Sequence, residues 1–229
     1  MTNHSDISRR QAFAGLVGLG LTMPVTNAFA LSPRLGAPVA KVVSRQSPVD
    51  GDHPALKRRL QNDASLFLRD RIRTGEKGYC ELEFVAGGTL RIGPSTTVLI
   101  DRIIGDLRYP RTIHLSVEAA GGVRYLPEVT PKLPPGLDRY RISLETPRGT
   151  INGRDADLWV GRLDGSYTVY VNKGEAEVVN FAGSQRIEGS GLGIKLRDQA
   201  ATPPEPVPFR DRQLARIAAS VAKPSNQPF

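Results

Sequence analysis

The sequence has few of the residues that form disulfides, metal sites or enzymatic nucleophiles. Its 229 residues include one cysteine, Cys80, and three histidines far apart in the chain, His4, His53 and His114. A single cysteine cannot close an internal disulfide, and we interpret Cys80 as a small core residue rather than a reactive thiol. Isolated histidines argue against a zinc or iron site. No G-x-S-x-G nucleophile motif occurs, although a Ser-His-acid triad assembled from distant positions stays open. We therefore expect no cofactor and no metal.

The chain also lacks a long hydrophobic run. Its N-terminal apolar stretch, 13–23, is shorter than the roughly 20 residues that a membrane-spanning helix needs. Arg9 and Arg10 precede this stretch and an A-x-A site, Ala28 to Ala30, follows it, which gives the three parts of a twin-arginine export signal. A chance Arg-Arg pair before a buried helix or a membrane span is the alternative. We predict a signal peptide over 1–30 and a periplasmic mature protein without a transmembrane segment.

Negative charge is in the minority, and the formal net charge is +8. A basic protein attracts anionic partners, of which nucleic acid is the most familiar. An exported protein does not meet nucleic acid, so we expect no nucleic-acid partner and consider an anionic envelope surface more suitable. The partner that we expect is an unidentified envelope protein or glycan.

Glycine and proline are abundant for a helical protein, with 23 and 18 residues. Between them lie short runs in which apolar and polar residues alternate, as in YCELEF at 79–84. Such alternation bounded by glycine turns predicts strands and hairpins. The predicted turns include Gly87-Gly88, Asp164-Gly165 and Lys173-Gly174. We predict an all-β fold of about ten short strands, a two-layer sandwich or a solenoid-like β-roll, with a short C-terminal amphipathic helix.

Shifts in composition divide the chain into segments. Leu214, Ile217 and Val221 recur at helical spacing, so a helix is predicted there that docks on the sheet or, alternatively, binds a membrane surface or a partner. One edge strand is expected at 39–43 and a short helix or turn at 56–68. The predicted division is an export signal at 1–30, an extended N-terminal segment at 31–59, a β domain at 60–197, a Pro-rich linker at 198–209, and a C-terminal helix and tail at 210–229.

Three pairs of carboxylates occur at i, i+2: Glu81/Glu83, Asp155/Asp157 and Glu175/Glu177. On a strand such a pair shares one face at about 6 to 7 Å. That separation suits glycoside hydrolysis, in which two carboxylates flank the scissile bond. Each pair alternates with apolar residues, as a solvated strand face does, so we favour a structural role and predict no catalytic residue.

The only tryptophan, Trp159, lies two residues after Asp157. If Leu158 and Val160 face the core, Trp159 faces outward, where an aromatic side chain is a candidate contact for a partner or a glycan. The alternative is that it packs beneath the C-terminal helix or a loop. An enzyme acting on an envelope polysaccharide would use Asp155 or Asp157 with Trp159 as a sugar platform.

The segment DRIRTGEKGYCELEFVAGGTLRIGPSTTV (70–98) resembles the FecR domain family, whose members share a D-R-I-R-T-G start, an alternating strand, a glycine turn and an L-R-L-G-P-type strand. A second family signature, T-P-x-G followed by a short apolar run and R-G-T-x-F, is matched in part at 146–158, with Leu158 in place of the aromatic and Asp155-Ala156 in place of Gly-Thr. The segment DGSYTVYVNKGEAEVV (164–179) is similar to the hairpin that usually follows. The matching motif positions are Asp70, Arg71, Gly75, Thr146, Pro147, Gly149 and Arg154.

This resemblance covers about residues 60–197 and implies a non-enzymatic periplasmic binding or sensing module in envelope signalling. The namesake regulators carry a cytoplasmic anti-sigma segment and a transmembrane helix before this domain. Because an export signal is predicted in their place, we do not expect this chain alone to pass a signal to a sigma factor. A polysaccharide-acting enzyme and a structural envelope protein are the alternatives.

Overall fold

The structure, a computed structural model, describes residues 35–105, 112–119, 121–128 and 141–223. The predicted export signal, with Arg9, Arg10, Ala28 and Ala30, lies outside these residues. Within them, no helix has the length and apolar character needed to span a membrane.

Strands make up most of the described chain. They are β1 (Ala40–Gln46), β2 (Val49–His53), β3 (Leu56–Arg59), β4 (Ser65–Leu66), β5 (Arg71–Thr74), β6 (Tyr79–Phe84), β7 (Thr89–Ile92), β8 (Thr96–Ile104), β9 (Thr112–Ala119), β10 (Gly122–Leu126), β11 (Arg141–Thr146), β12 (Gly149–Leu163), β13 (Ser166–Asn180), β14 (Gly183–Glu188), β15 (Leu192–Leu196) and β16 (Val207–Pro208), and the helix is α1 (Asp211–Ser220).

All strands belong to one curled sheet with two halves, which share the long hairpin β12–β13. The first part of β12 pairs with β11 and the last part with β10, along the same edge. The first half therefore runs β3-β2-β5-β8-β9-β11-β12-β13-β14, and the second runs β4-β1-β6-β7-β10-β12-β13-β15-β16. Both halves bury their inner side chains in one apolar cluster. The predicted all-β fold with a short C-terminal helix is confirmed.

A bulge in β12 divides the shared hairpin between the two halves. The pairing of β12 with β13 shifts between Arg154 and Asp157. Asp155 has a φ of 46° there, a left-handed conformation that aspartate tolerates better than most residues. Gly174 lies opposite with a φ of 89°, and a Cβ at Gly174 would collide with the carbonyl oxygen of Asp155. The predicted turn at Lys173-Gly174 is therefore wrong: glycine here allows close approach at a bulge, and β13 continues through it.

The N-terminal segment is part of the sheet, contrary to the prediction of an extended segment over 31–59. Strand β1 pairs with β6 and β4 and is not at an edge, and β2 pairs with β3 and β5. Of the helix or turn predicted at 56–68, the helix is wrong, because strands β3 and β4 lie there, and a turn at 62–63 joins them. Leu60 packs over Gly51, where a Cβ would lie 2.7 Å from the leucine side chain.

Cys80 is fully buried in the core, as predicted. Burial raises the pKa of its thiol to about 12. The thiolate is the reactive form of cysteine, so this side chain is chemically inert in the folded protein.

Candidate functional site

The first motif residues of the sequence stabilise the sheet. Asp70 is fully buried, and its carboxylate accepts hydrogen bonds from Nη1 and Nη2 of Arg58, at 2.9 and 2.6 Å, and from the backbone N–H of Phe67 at 2.8 Å. The Gly75 carbonyl accepts backbone hydrogen bonds from Gly78 and Ser95. Arg71 lies on β5, where it pairs with Leu99 of β8. These residues fix a turn and the start of a strand.

The second group of motif residues forms the turn between β11 and β12. The Thr146 hydroxyl donates to the carbonyl of Gly149 at 2.7 Å and accepts from the N–H of Arg148 at 3.1 Å. Gly149 has a φ of 135°, and a Cβ there would collide with the Val179 carbonyl. Pro147 occupies the turn, and its carbonyl accepts from the Gln199 side chain at 2.6 Å. Arg154 lies further along β12 and lines a surface cavity, and Thr146 and Gly149 line another.

Trp159 does face away from the core, as the alternation predicts, but it is not on the surface. Helix α1 covers it, and only 1% of the side chain is exposed. The indole N–H donates to the Ser220 hydroxyl at 3.0 Å. The prediction of an exposed partner contact is therefore wrong for Trp159, and packing beneath the C-terminal helix is what the structure has. The helix itself docks on the sheet, as predicted.

Two of the three carboxylate pairs hold ion pairs within the protein. Glu81 accepts from the Tyr79 hydroxyl at 2.8 Å, and Glu83 lies 2.8 Å from Lys41. Asp157 accepts two hydrogen bonds from Arg124, at 2.8 and 2.7 Å, and one from Asn172 at 2.8 Å. Because Asp157 is held in this way and Trp159 is buried, these two side chains do not form the sugar site that the sequence suggested.

The third pair lies in a polar cavity on the outer face of the first half. Pairing across β9, β11, β12, β13 and β14 places five polar residues in one row: His114, Ser143, Asn152, Glu177 and Arg186. A second row beside it contains Arg154, Glu175 and Glu188. With Thr112 these residues line a cavity of about 540 Å³. We call these nine residues the polar face.

Glu175 and Glu177 differ from the other carboxylate pairs because neither forms an ion pair with any side chain that the structure describes. An ion pair on this face joins the exposed side chains of Arg186 and Glu188 at 3.9 Å. Ser143 donates to Oδ1 of Asn152 at 2.9 Å, which fixes the amide and directs its N–H groups elsewhere. The polar face thus presents oriented amide donors beside two carboxylate acceptors.

Two further cavities continue the polar face along the sheet. One, of about 280 Å³, shares His114 and Ser143 with the first and extends to Glu145 and Thr150. The next, of about 310 Å³, shares Glu145 and Thr150 and extends to Phe181 at the tip of the β13–β14 hairpin. The three cavities therefore form one continuous surface. Among the described residues, no group of His, Cys, Asp and Glu side chains is arranged to hold a metal ion.

His114 is a neutral side chain at the junction of the first two cavities. Burial lowers its pKa below the ordinary value of 6.5, and the positive charge of Arg102 lowers it further against the opposing effect of Asp101. At neutral pH the imidazole therefore offers one donor and one acceptor to a ligand.

We expect the His114 ring to titrate below pH 6.5 in the folded protein. The unfolded chain binds this proton first as the pH falls, so the folded state loses stability as the pH drops through the unfolded pKa. NMR of the ring protons measures the pKa, and denaturation of His114→Gln should lack this part of the pH dependence between about pH 7 and 5. A pKa above 6.5 would contradict the prediction.

Comparisons with known proteins place the chain near few others. No family model matches its sequence, and no curated protein matches it. Two crystal structures of a putative anti-sigma factor from Parabacteroides distasonis are similar to it, each with a TM-score of 0.48 and with 12% and 11% sequence identity. The similarity covers 63% of this chain and 62% of that one, so the chain spans less than two thirds of the length of the protein it resembles.

Proposed function

We propose that this protein is an exported, non-enzymatic binding module of the FecR-like type, which acts in the periplasm and binds an envelope glycan on the polar face. The observation that carries this proposal is that neither Glu175 nor Glu177 forms an ion pair with any side chain that the structure describes. They line a cavity of about 540 Å³, whereas Asp70, Glu83 and Asp157 each hold an ion pair within the protein.

The chemistry of the polar face favours a polyhydroxylated ligand. Carboxylates, fixed amides and hydroxyls bind hydroxyl groups, which sugars offer in quantity. The core of a protein–protein interface is instead apolar and rich in aromatic side chains, whereas the cavity of the polar face is lined by no Phe, Tyr or Trp and has Ile142 and Ala176 as its apolar side chains. Strand pairing fixes the backbone that carries the polar face, and the Ser143–Asn152 hydrogen bond orients one of its amides before a ligand binds.

Export and sensing are supported by the sequence. The Arg9-Arg10 pattern would deliver the protein to the compartment that contains envelope glycans. The resemblance to FecR domains supports a role in envelope signalling, in which glycan binding would be the input.

Charge-removing variants test the proposal. Glu175→Gln and Glu177→Gln keep the side-chain volume and remove an acceptor charge. We expect each to weaken binding to purified envelope polysaccharide at least about tenfold, or about 1.4 kcal/mol, in affinity electrophoresis or calorimetry. The matched control is Glu83→Gln on the other half of the sheet, which should bind as the unchanged protein does. Failure of the unchanged protein to bind any envelope polysaccharide, or equal binding by all variants, would contradict the proposal.

A second candidate function is hydrolysis of the same glycan. It is favoured by the position of Glu175 and Glu177 on one strand face, at about 6 to 7 Å by strand geometry, within the spacing used by glycosidases. The two functions are separated by assaying released reducing ends. A hydrolase would release them in a reaction that either Gln variant abolishes, and a binding module would release none.

A further inference from the structure

The most exposed large apolar side chain among the described residues lies at one end of the polar face. Phe181 is 88% exposed at the tip of the β13–β14 hairpin and belongs to neither apolar cluster. The backbone beneath it is firmly held. The Asn180 side chain accepts from the N–H of Ala182 at 2.9 Å and of Gly183 at 3.2 Å, and donates to the Ala201 carbonyl at 2.7 Å.

The surroundings of Phe181 are those of a binding site. It lines the cavity of about 310 Å³ together with Glu145, Thr150 and Gln199. Glu145 and Thr150 also line the adjoining cavity, which continues into the polar face. Glu177 lies on β13 and Phe181 lies four residues further, directly after the end of that strand, about 13 Å away along the strand direction. An extended ligand laid along β13 would therefore reach both side chains.

We propose that Phe181 is the platform of a sugar-ring subsite, and that the ligand is a glycan chain of several units lying along β13 from Glu177 to the β13–β14 tip. This inference rests on the proposed function, which it sharpens from a glycan to a chain with a ring stacked at one end. The C–H face of a pyranose ring is apolar, whereas its hydroxyls point outward. The Phe181 ring would pack against the apolar C–H face, and the Glu145 carboxylate and Thr150 hydroxyl would form hydrogen bonds with the sugar hydroxyls.

An exposed aromatic side chain on a hairpin tip could instead enter a lipid surface. Insertion requires a continuous apolar face several residues wide. The cavity beside Phe181 contains Glu145, Asn180 and Gln199, whose polar groups would have to leave water. The glycan is therefore the ligand that fits this composition.

The test uses three variants of the full-length protein and a panel of chitohexaose, cellohexaose and maltohexaose with their disaccharides. Phe181→Ala should weaken the affinity for the hexaose that binds by about tenfold or more. Phe181→Tyr, which keeps the ring, should stay within about threefold, because the platform is preserved. The disaccharides should bind the unchanged protein more weakly than the hexaose, because they are too short to contact Phe181 and Glu177 together. The exposed position makes a folding defect unexpected, and circular dichroism checks this.

The outcomes separate the inference from the proposed function. If Glu177→Gln loses the hexaose and Phe181→Ala binds it unchanged, the subsite is overturned and glycan binding stands. If no glycan of the panel binds the unchanged protein, the inference fails together with the glycan-binding proposal for these sugars. If Phe181→Ala loses binding only to phosphatidylglycerol vesicles, the side chain contacts lipid and the subsite is overturned.

Discussion

Replacing Asp70 with alanine is expected to lower the free energy of unfolding by about 3 to 5 kcal/mol, the range observed when one partner of a buried ion pair is removed. The carboxylate is fully buried and accepts two hydrogen bonds from Arg58 and one from the N–H of Phe67. Its loss would leave a guanidinium whose side chain is only 18% exposed without a counter-charge. It would also leave a peptide N–H without an acceptor.

Such a loss is a large part of the about 5 to 15 kcal/mol by which domains are stable, so urea denaturation followed by circular dichroism measures it readily. The control is Glu83→Ala, which breaks the ion pair with Lys41. Both side chains of that pair are more than half exposed, so the expected loss is below about 1 kcal/mol. Equal losses in the two variants would show that Asp70 has no special role.

Local features of this fold were predictable from the sequence, and the extent of the sheet was not. The alternation at 79–84 and the turn at Gly87-Gly88 predict β6 and β7, which do pair as a hairpin. Asp164-Gly165 likewise connects β12 to β13. Lys173-Gly174 was misinterpreted because glycine serves both turns and bulges, and only the partner strand distinguishes them. The strand expected at 39–43 is present as β1 but is not at an edge, and β2 and β3 were not predicted, because pairing with β5 and β6 further along the chain places this segment in the sheet.

The candidate site is still less visible in the sequence, because its residues come from five strands. The pattern around Ser143, Asn152 and Glu177 shows that each lies on the polar face of a strand. It does not show that β11 lies beside β9 in parallel and beside β12 antiparallel, which brings His114 into the same row. Glu177 forms no ion pair with a side chain that the structure describes, and this too depends on which residues lie across from it. Local alternation likewise predicted correctly that Trp159 points away from the core. It does not show that a helix more than 50 residues later in the chain covers this side chain.

Helix α1 packs into a recess in the outer face of the second half, which forms because glycines there have no side chains. A Cβ at Gly122 would lie 2.6 Å from the Trp159 indole, and one at Gly193 would lie 2.7 Å from the Phe209 ring. Residues of the helix and its approach, with Trp159, form an apolar cluster separate from the main core. Because the two clusters are separate, the helix should be able to leave the sheet without unfolding it.

Replacing Ile217 with aspartate should therefore release α1 and expose Trp159. Ile217 is 4% exposed and packs against the sheet. Burying an unpaired carboxylate at this position would cost several kcal/mol. The small apolar contact that holds the helix on the sheet contributes about the same free energy, so the helix should detach. Trp159 is the only tryptophan, so its fluorescence emission reports whether α1 covers it. We expect the emission to shift to longer wavelength and acrylamide quenching to increase. The strand signal in circular dichroism should persist. Arg212→Asp, on the exposed side of the same helix, should leave the emission unchanged. An unshifted emission in the Ile217 variant would show that the indole is protected without the helix, and loss of the strand signal together with the shift would show that the helix and the sheet fold as one unit.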